Sequence, residues 1–446
     1  MMRLLDKSFE MLKEYPLCDH CLGRQFAFLG TAMENEERGK AIKTTLLMEA
    51  QALTLSQNKK GLQLLRILAV NGFFGKAEEI LKGIKKGMLK KRTLKTCFLC
   101  ESRFSMVEEL AKKATEKLAE WEYNTFLIGI ELPVEVEERE DEFKAKFEVE
   151  HGESMRIEFG RLLGKKISLL TGKCVSYSKP DVVLIINPMT EEVNVQVNPI
   201  YIAGRYIKLV RGIPQSKWFC SNCMGKGCEK CGWTGKKYPE SVEEIISEPF
   251  IAATGGSKAY FHASGREDID VRMLGKGRPF VLEISQPRKR FIDLKEVEKI
   301  VNARANGKVR IRDLKFVDKD YVRKLKKAES SKKYYRVVIE FENEVTDDIM
   351  RLIEEKLTNT IIRQRTPTRV LHRRADLTRE KYIYEVKVKR LSPNKAELRL
   401  QCQGGLYVKE LVTGDDGRTT PSITEIVGIK AKPISLDVLD VIIEQR

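Results

Sequence analysis

Apolar residues recur at helical spacing at the start of the chain and at strand spacing from about residue 125 onward. Leu5, Phe9 and Leu12 share one face, as do Val107, Leu110, Ala111, Ala114 and Leu118, which predicts amphipathic helices in the first part. Further on the period changes. TFLIGIELP and KAKFEVE read as strands, and a helix is expected from about Met155 to Leu170. DVVLIINP and EEVNVQVNPIYI then read as two strands joined by a short turn, with Val193, Val195 and Val197 alternating with polar residues. A Gly/Cys-rich segment, 218–236, interrupts this pattern as a linker with its own knot. Past about residue 245, short strands and helices mix with frequent Gly and Pro, so the chain is expected to be α+β. There is no internal repeat and no low-complexity tail.

Composition narrows the class. The chain has 446 residues, room for two or three domains, and 81 Lys and Arg against 64 Asp and Glu give a net charge of +17. A surface dense in both signs would explain the many charges but not their one-sided excess, which points to a polyanion as partner. The first residues carry charges throughout and no apolar stretch approaches the roughly 18 residues of a membrane span, so neither a signal peptide nor a membrane partner is expected. The ten cysteines are therefore expected in a reducing, cytoplasmic setting, bound to metal rather than to each other.

Eight of the ten fall in four CxxC pairs: Cys18 and Cys21, Cys97 and Cys100, Cys220 and Cys223, Cys228 and Cys231. A CxxC turn points two thiolates at one tetrahedral ion, and two pairs complete an all-sulfur zinc site with no open position. The expected zinc is structural, and how the four pairs combine is left open by spacing alone. A redox CxxC needs only one pair and a βαβ setting. Cys174 and Cys402 stand alone and read as core residues.

The segment Ser264-Gly265-Arg266-Glu267-Asp268-Ile269-Asp270-Val271-Arg272 is charged where a core strand would be apolar. By composition it reads as a solvated loop laced with ion pairs. Three later segments change that: Lys333-Tyr334-Tyr335-Arg336, the run Thr366-Pro367-Thr368-Arg369-Val370-Leu371-His372-Arg373-Arg374, and Gly405-Leu406-Tyr407-Val408-Lys409-Glu410-Leu411 followed by Gly414-Asp415-Asp416-Gly417-Arg418. GRED at 265–268 resembles the Gly-Arg-x-Asp signature of pseudouridine synthases. GREDIDVRMLGKGRPF, TPTRVLHRR and GLYVKEL with GDDGRT together resemble one branch, the THUMP-containing archaeal and eukaryotic tRNA pseudouridine synthases that modify uridines 54 and 55 of the T loop. The likeness covers residues 240–446, and extends more weakly to the first half through GRYIKLVRGIPQ and the CxxC pairs.

That resemblance implies a catalytic domain over 246–446, a mixed or antiparallel sheet with flanking helices. Before it, residues 1–245 would form an accessory RNA-binding region: a helical zinc-binding part, a THUMP-like part over roughly 85–215 and the cysteine knuckle 218–236. It implies tRNA as partner, a monomer, and no organic cofactor. Asp268 would be the nucleophile and Lys409 its basic partner. Tyr335 and Tyr407 would contact the substrate, Leu411 would line the base, and Arg266 would fill the space left by a flipped uridine. Tyr334 also follows a lysine two back, but Tyr335 aligns the following strand without a gap.

Physical chemistry supports these roles. Pseudouridine formation breaks N1–C1′, turns the uracil and rejoins it through C5, so the target must leave its stack. A carboxylate serves without a cofactor if a nearby cation keeps it ionised, and a tyrosine ring offers the uracil a flat surface. Glu267, Asp270 and Asp293 read as loop or structural charges, and His372 as a phosphate contact. Lys208, Arg211 and Lys217 read equally as phosphate contacts or ordinary surface cations. THUMP-linked methyltransferases or thiouridine synthetases would need a Gly-rich nucleotide loop between strand and helix, which Thr254-Gly255-Gly256-Ser257 does not supply. A non-catalytic zinc-ribbon protein would explain charge and cysteines but not the three later segments together.

Overall fold

The computed structural model describes residues 4–84, 95–327 and 331–442. Residues 85–94, where the expected THUMP-like part begins, and 443–446, at the end of the expected catalytic domain, lie outside the described residues. The chain separates into two compact units, Met1–Asn198 and Pro199–Arg446.

The first unit opens with helices Leu4–Glu14, Asp19–Gly23, Asn35–Leu55, Lys59–Val70, Gly75–Ile84 and Val107–Leu118. The last buries Leu110, Ala111, Ala114 and Leu118 on one face, as the spacing predicts. A four-stranded sheet follows, in the order Cys174–Val175, Thr125–Ile130, Val182–Asn187, Glu192–Val197, parallel except for its last pair. Helices Val134–Lys146 and Met155–Thr171 connect its strands. The expected strand KAKFEVE is instead the end of the first of these helices and the turn after it. Val136, Glu140 and Phe143 are buried at helical spacing, with acids in the first turn and lysines in the last. The longer period wins over the short β-like run.

In the second unit a ten-stranded sheet runs in the order Thr419–Thr420, Thr360–Arg365, Thr378–Ser392, Lys395–Gln403, Lys332–Phe341, Ala431–Val441, Arg272–Ser285, Ile200–Lys208, Val309–Val317, with Lys258–Ala263 added on Arg272–Ser285. Every described pairing is antiparallel except that of Ala431–Val441 with Arg272–Ser285. Strand Lys332–Phe341 alternates so that Val337, Ile339 and Phe341 enter the core. Helices Val242–Thr254, Leu294–Arg304 and Asp347–Leu357 supply Phe250, Val301 and Ile353 to the same core. Asp293 caps the second of these, accepting from the Lys295 amide at 2.8 Å.

The expected accessory region, 1–245, runs past the division at 198. The run EEVNVQVNPIYI is split there: Glu192–Val197 closes the first sheet, while Ile200–Lys208 enters the second between Arg272–Ser285 and Val309–Val317. The segment 218–236 therefore lies inside the second unit, as a knuckle between strand Ile200–Lys208 and helix Val242–Thr254, and does not link two domains.

Candidate active site

A cavity of about 610 Å³ opens in the second unit, and the charged loop forms one wall of it. Gly265, Arg266, Glu267, Asp268, Ile269 and Asp270 line that wall. Gly265 starts the loop with φ +81°, a left-handed conformation that favours glycine. Beneath it Glu267 is buried in an ion pair with Arg278 at 2.9 Å and accepts from the Tyr206 hydroxyl at 2.8 Å. Gln215 donates to that hydroxyl at 2.7 Å and to the Gly265 carbonyl at 3.1 Å. Lys208 is fully buried and donates to the carbonyls of Ile213, Asp268 and Ile269 at 2.8, 3.2 and 3.2 Å. It is an internal tie for the loop, not a phosphate contact. Arg211 is similarly engaged, on the Asp270 and Leu436 carbonyls and the Asp437 carboxylate. Lys217 remains exposed.

The Asp268 carboxylate meets two cations. Arg369 Nη1 lies 3.0 Å from its Oδ2 and Lys409 Nζ 3.5 Å from the same oxygen. Lys409 is nearer Asp270, at 2.7 Å, and this pairing helps to hold the Asp270 carboxyl below its usual range although burial opposes it. So the expected partner of Asp268 is shared, and the closer cation is Arg369, which the sequence did not single out. Arg369 is itself held by the buried Glu410, whose Oε1 is 2.6 Å from Nε.

The other walls are aromatic and aliphatic. Tyr335 lines the cavity and Tyr334 does not; burial pushes the Tyr335 phenol up. Tyr407 lines it too, its backbone clamped by both ends of the Gln364 amide at 2.9 and 3.0 Å and its hydroxyl within 3.3 Å of Arg374 Nη1. Leu411 is fully buried in the core instead of lining the cavity, because the helix Val408–Thr413 turns Lys409 outward and Leu411 inward. The aliphatic lining comes from Ile269, Val271, Val370, Leu406, Val408, Leu436 and Val438. Trp218 and Lys333 also line it; Lys333 opens the Lys-x-Tyr run that carries Tyr335, whereas Trp218 drew no attention in the sequence. His372 is exposed.

The eight CxxC cysteines form two sets. Cys18, Cys21, Cys97 and Cys100 make one, and Cys220, Cys223, Cys228 and Cys231 the other, with the sulfurs of each set within 4.8 Å of one another. In the first, Cys18 caps helix Asp19–Gly23, and the Phe98 amide donates to the Pro16 carbonyl at 2.7 Å, which brings the two turns together. Arg24 is buried beside it, paired with Glu140; burial disfavours its charge, but the Cys21 sulfur and Glu140 outweigh that. In the second, Gly235 passes so close to the Gly225 carbonyl that a Cβ would lie 2.4 Å from the oxygen. Burial pushes the Cys231 thiol up, but the amides of Cys228 and Gly235 outweigh it and bring it to about 6. Sulfur separations of 3.6 Å for Cys18–Cys100, 3.9 Å for Cys220–Cys228 and 3.7 Å for Cys228–Cys231 suit a metal. A tetrahedron with metal–sulfur bonds of about 2.3 Å has edges of about 3.8 Å. Of the two lone cysteines, Cys402 is a core residue whose thiol burial pushes up to about 12, whereas Cys174 is exposed on the short strand Cys174–Val175.

Residues 201–442 match the family described as Pus10, C-terminal, and residues 110–187 match the Pus10 THUMP domain, archaeal. The tRNA pseudouridine synthase Pus10 of Methanocaldococcus jannaschii is 45% identical over 444 residues, spanning 97% of this chain and 94% of that protein. The protein of the same description from Thermofilum pendens is 41% identical over 439 residues, 98% of this chain and 95% of its own length. Among solved structures, a chain of a Cbf5-Nop10-Gar1 complex superposes with a TM-score of 0.29 at 15% identity over 53% of this chain and 48% of its own. Family matches on both units and relatives of nearly the same length agree with the loop, tyrosines and basic residues gathered in the cavity: the chain belongs to the Pus10 family of tRNA pseudouridine synthases.

Proposed function

We propose that this enzyme converts uridines 54 and 55 of the tRNA T loop to pseudouridine, with Asp268 as nucleophile. The observation that carries the reading is the position of the Asp268 carboxylate. It lines a cavity of about 610 Å³, beside two cations, and Tyr335 and Tyr407 line the same cavity. A carboxylate oxygen bonds C1′ as the N1–C1′ bond breaks. The freed uracil turns on the Tyr335 ring, C5 displaces the carboxylate from C1′, and the proton lost from C5 is matched by one gained at N1. Arg369 and Lys409 pair with the Asp268 carboxylate and hold it in the cavity, and Arg266 enters the space that the uridine vacates. Tyr407 and Arg374 bound the substrate side of the cavity. Each cysteine set holds one structural zinc, and the net charge of +17 draws in the RNA.

Carbodiimide mapping of a T-loop transcript tests the positions, and tritium release from uridine C5 tests the nucleophile. Stops at 54 and 55 that vanish with Asp268→Asn are expected. Stops elsewhere in the tRNA would overturn the assigned positions, and undiminished tritium release by Asp268→Asn would overturn the nucleophile.

A further inference from the structure

The knuckle that carries Cys220, Cys223, Cys228 and Cys231 reaches the cavity at its base. That base is closed by the bridge between Phe219 and Lys236 and by the Lys237 amide donating to the Trp218 carbonyl at 2.9 Å. One residue beyond Phe219 the Cys220 amide is tied to the Gly235 carbonyl at 2.8 Å, so the stem is held at the start of the four-cysteine segment. Trp218, at the foot of this stem, lines the same cavity as Asp268. The guanidinium carbon of Arg266 stands 5.1 Å from its ring centroid and the Lys237 ammonium 5.2 Å, while Tyr238 meets the ring edge-on at 5.6 Å.

A half-buried indole outside the apolar core of its unit gains little by facing a cavity built for a polyanion. Its surroundings suit RNA. Bases stack on aromatic rings regardless of sequence, and cations beside the ring meet the phosphates on either side. Between Lys217 and Lys237 the chain carries Lys217, Lys226, Lys230, Lys236 and Lys237 against Glu229 as its one acid. An exposed cation–π contact is weak enough to be exchanged for a stacked base.

We propose that Trp218 is a nucleotide-stacking residue of the active site, on which Arg266 rests until RNA enters, and that the metal-bound knuckle sets its position. A base next to the target takes the ring, and Arg266 is released toward the gap left by the flipped uridine. The inference rests on the base-flipping reading of the cavity given above. It extends that reading by making the second cysteine set, which touches no substrate itself, a support for the substrate wall.

The chain has three tryptophans, so Trp121→Phe with Trp233→Phe leaves Trp218 as the sole indole emitter. With Asp268→Asn added to stop turnover, titration with an unmodified tRNA transcript should quench Trp218 emission saturably, with the midpoint of tRNA binding measured separately. Binding without any change in emission would overturn the proposal. In the native background, Trp218→Ala should lower kcat/KM about tenfold or more at unchanged melting temperature, and Trp218→Phe should restore most of it; wild-type kcat/KM for the alanine variant would again overturn it. Arg266→Ala should alter Trp218 emission in the free protein but not in the complex, and an unchanged free spectrum removes the resting contact. Cys223→Ser should release one metal ion and red-shift free Trp218 emission, and an unshifted spectrum removes the knuckle from the account. Quenching reports contact and tritium release reports chemistry, so failure of the Asp268 assignment is read separately from failure at Trp218.

Discussion

Arg369 stands between two carboxylates of different kinds, and that sets what its loss should do. On one side is Asp268 in the cavity, on the other the buried Glu410. Glu410 is buried but Arg369 is 38% exposed, so removing the arginine strands a carboxylate that solvent partly reaches and costs on the order of 1–3 kcal/mol. Arg369→Gln should therefore lower stability to urea as well as turnover, and Arg369→Gln with Glu410→Gln should recover most of the stability and none of the turnover. Equal stability of the single and double variants would remove Glu410 as the positioning group. At the next position in the network, Asp270→Asn serves as the control for Asp268→Asn. Tritium release should stop in the Asp268 variant and persist in the Asp270 variant, whose carboxylate is mostly exposed beside Lys409. The reverse outcome would move the nucleophile by two residues. Gly265 to Asp268 drew attention through the resemblance of GRED to a family signature, since their composition alone reads as a solvated loop. Arg369 did not, since its partner lies 101 positions away and its own neighbours in the chain are just as basic. Leu411 lies elsewhere than expected. The resemblance put it against the base, whereas the helix Val408–Thr413 turns it into the core.

Strand Ala431–Val441 presents Leu436 and Val438 to the cavity and buries Asp437, whose neighbours alternate with it along the strand. Three arginines converge on that carboxylate: Arg211 at 2.7 Å, Arg272 at 2.9 Å and Arg336 at 2.7 Å. Burial pushes the Asp437 carboxyl up, but the arginines outweigh it and hold the group below its usual range. A carboxyl depressed in the folded state binds fewer protons there than in the unfolded chain at acid pH, so stability rises with pH. The contribution should be complete above about pH 5 and fall away as pH drops through about 4 and below. Urea melts between about pH 3 and 7 should show a shallower pH dependence for Asp437→Asn than for the wild type, with lower stability at neutral pH. Parallel curves would mean that other carboxylates carry the acid sensitivity. Elements were legible where one period ran unbroken, as in helices Val107–Leu118 and Met155–Thr171. They were misread where two periods overlapped: the last turn of helix Val134–Lys146 mimics a strand when its first two turns are left out of the window.

Each unit closes a hydrophobic core from its own residues, Met11 to Val193 in one and Ile200 to Val441 in the other. Each also carries one set of four cysteines. The purified chain should hold about two zinc ions, and its tRNA affinity should fall on the order of a hundredfold or more between about 50 and 200 mM salt. A flat salt dependence would detach the net charge of +17 from RNA binding. Where the catalytic unit begins is the sharper question, because sequence composition suggested 246 and the strand pairing suggests 199. The first half of the answer lies in strand Ile200–Lys208. It pairs on one side with Arg272–Ser285 and on the other with Val309–Val317, and it buries Ile202 and Tyr206. A fragment starting at 246 loses that strand from between Arg272–Ser285 and the edge strand Val309–Val317, together with Lys208, whose ammonium ties down the Asp268 carbonyl, and Gln215, which holds Gly265. It also loses the knuckle. The two flanking strands would be left with unpaired backbone edges, and each buried polar group stranded by the cut costs about 1–3 kcal/mol, more in sum than a domain can spare. A fragment spanning 199–446 keeps all of these. It should unfold cooperatively, bind one zinc equivalent, and release tritium from tRNA with a raised KM, since the accessory unit is gone. The fragment 246–446 should bind no zinc and show no cooperative melt. If the shorter fragment folds and turns over as well as the longer one, Ile200–Lys208 is a dispensable addition to the sheet and the catalytic domain begins at 246 after all.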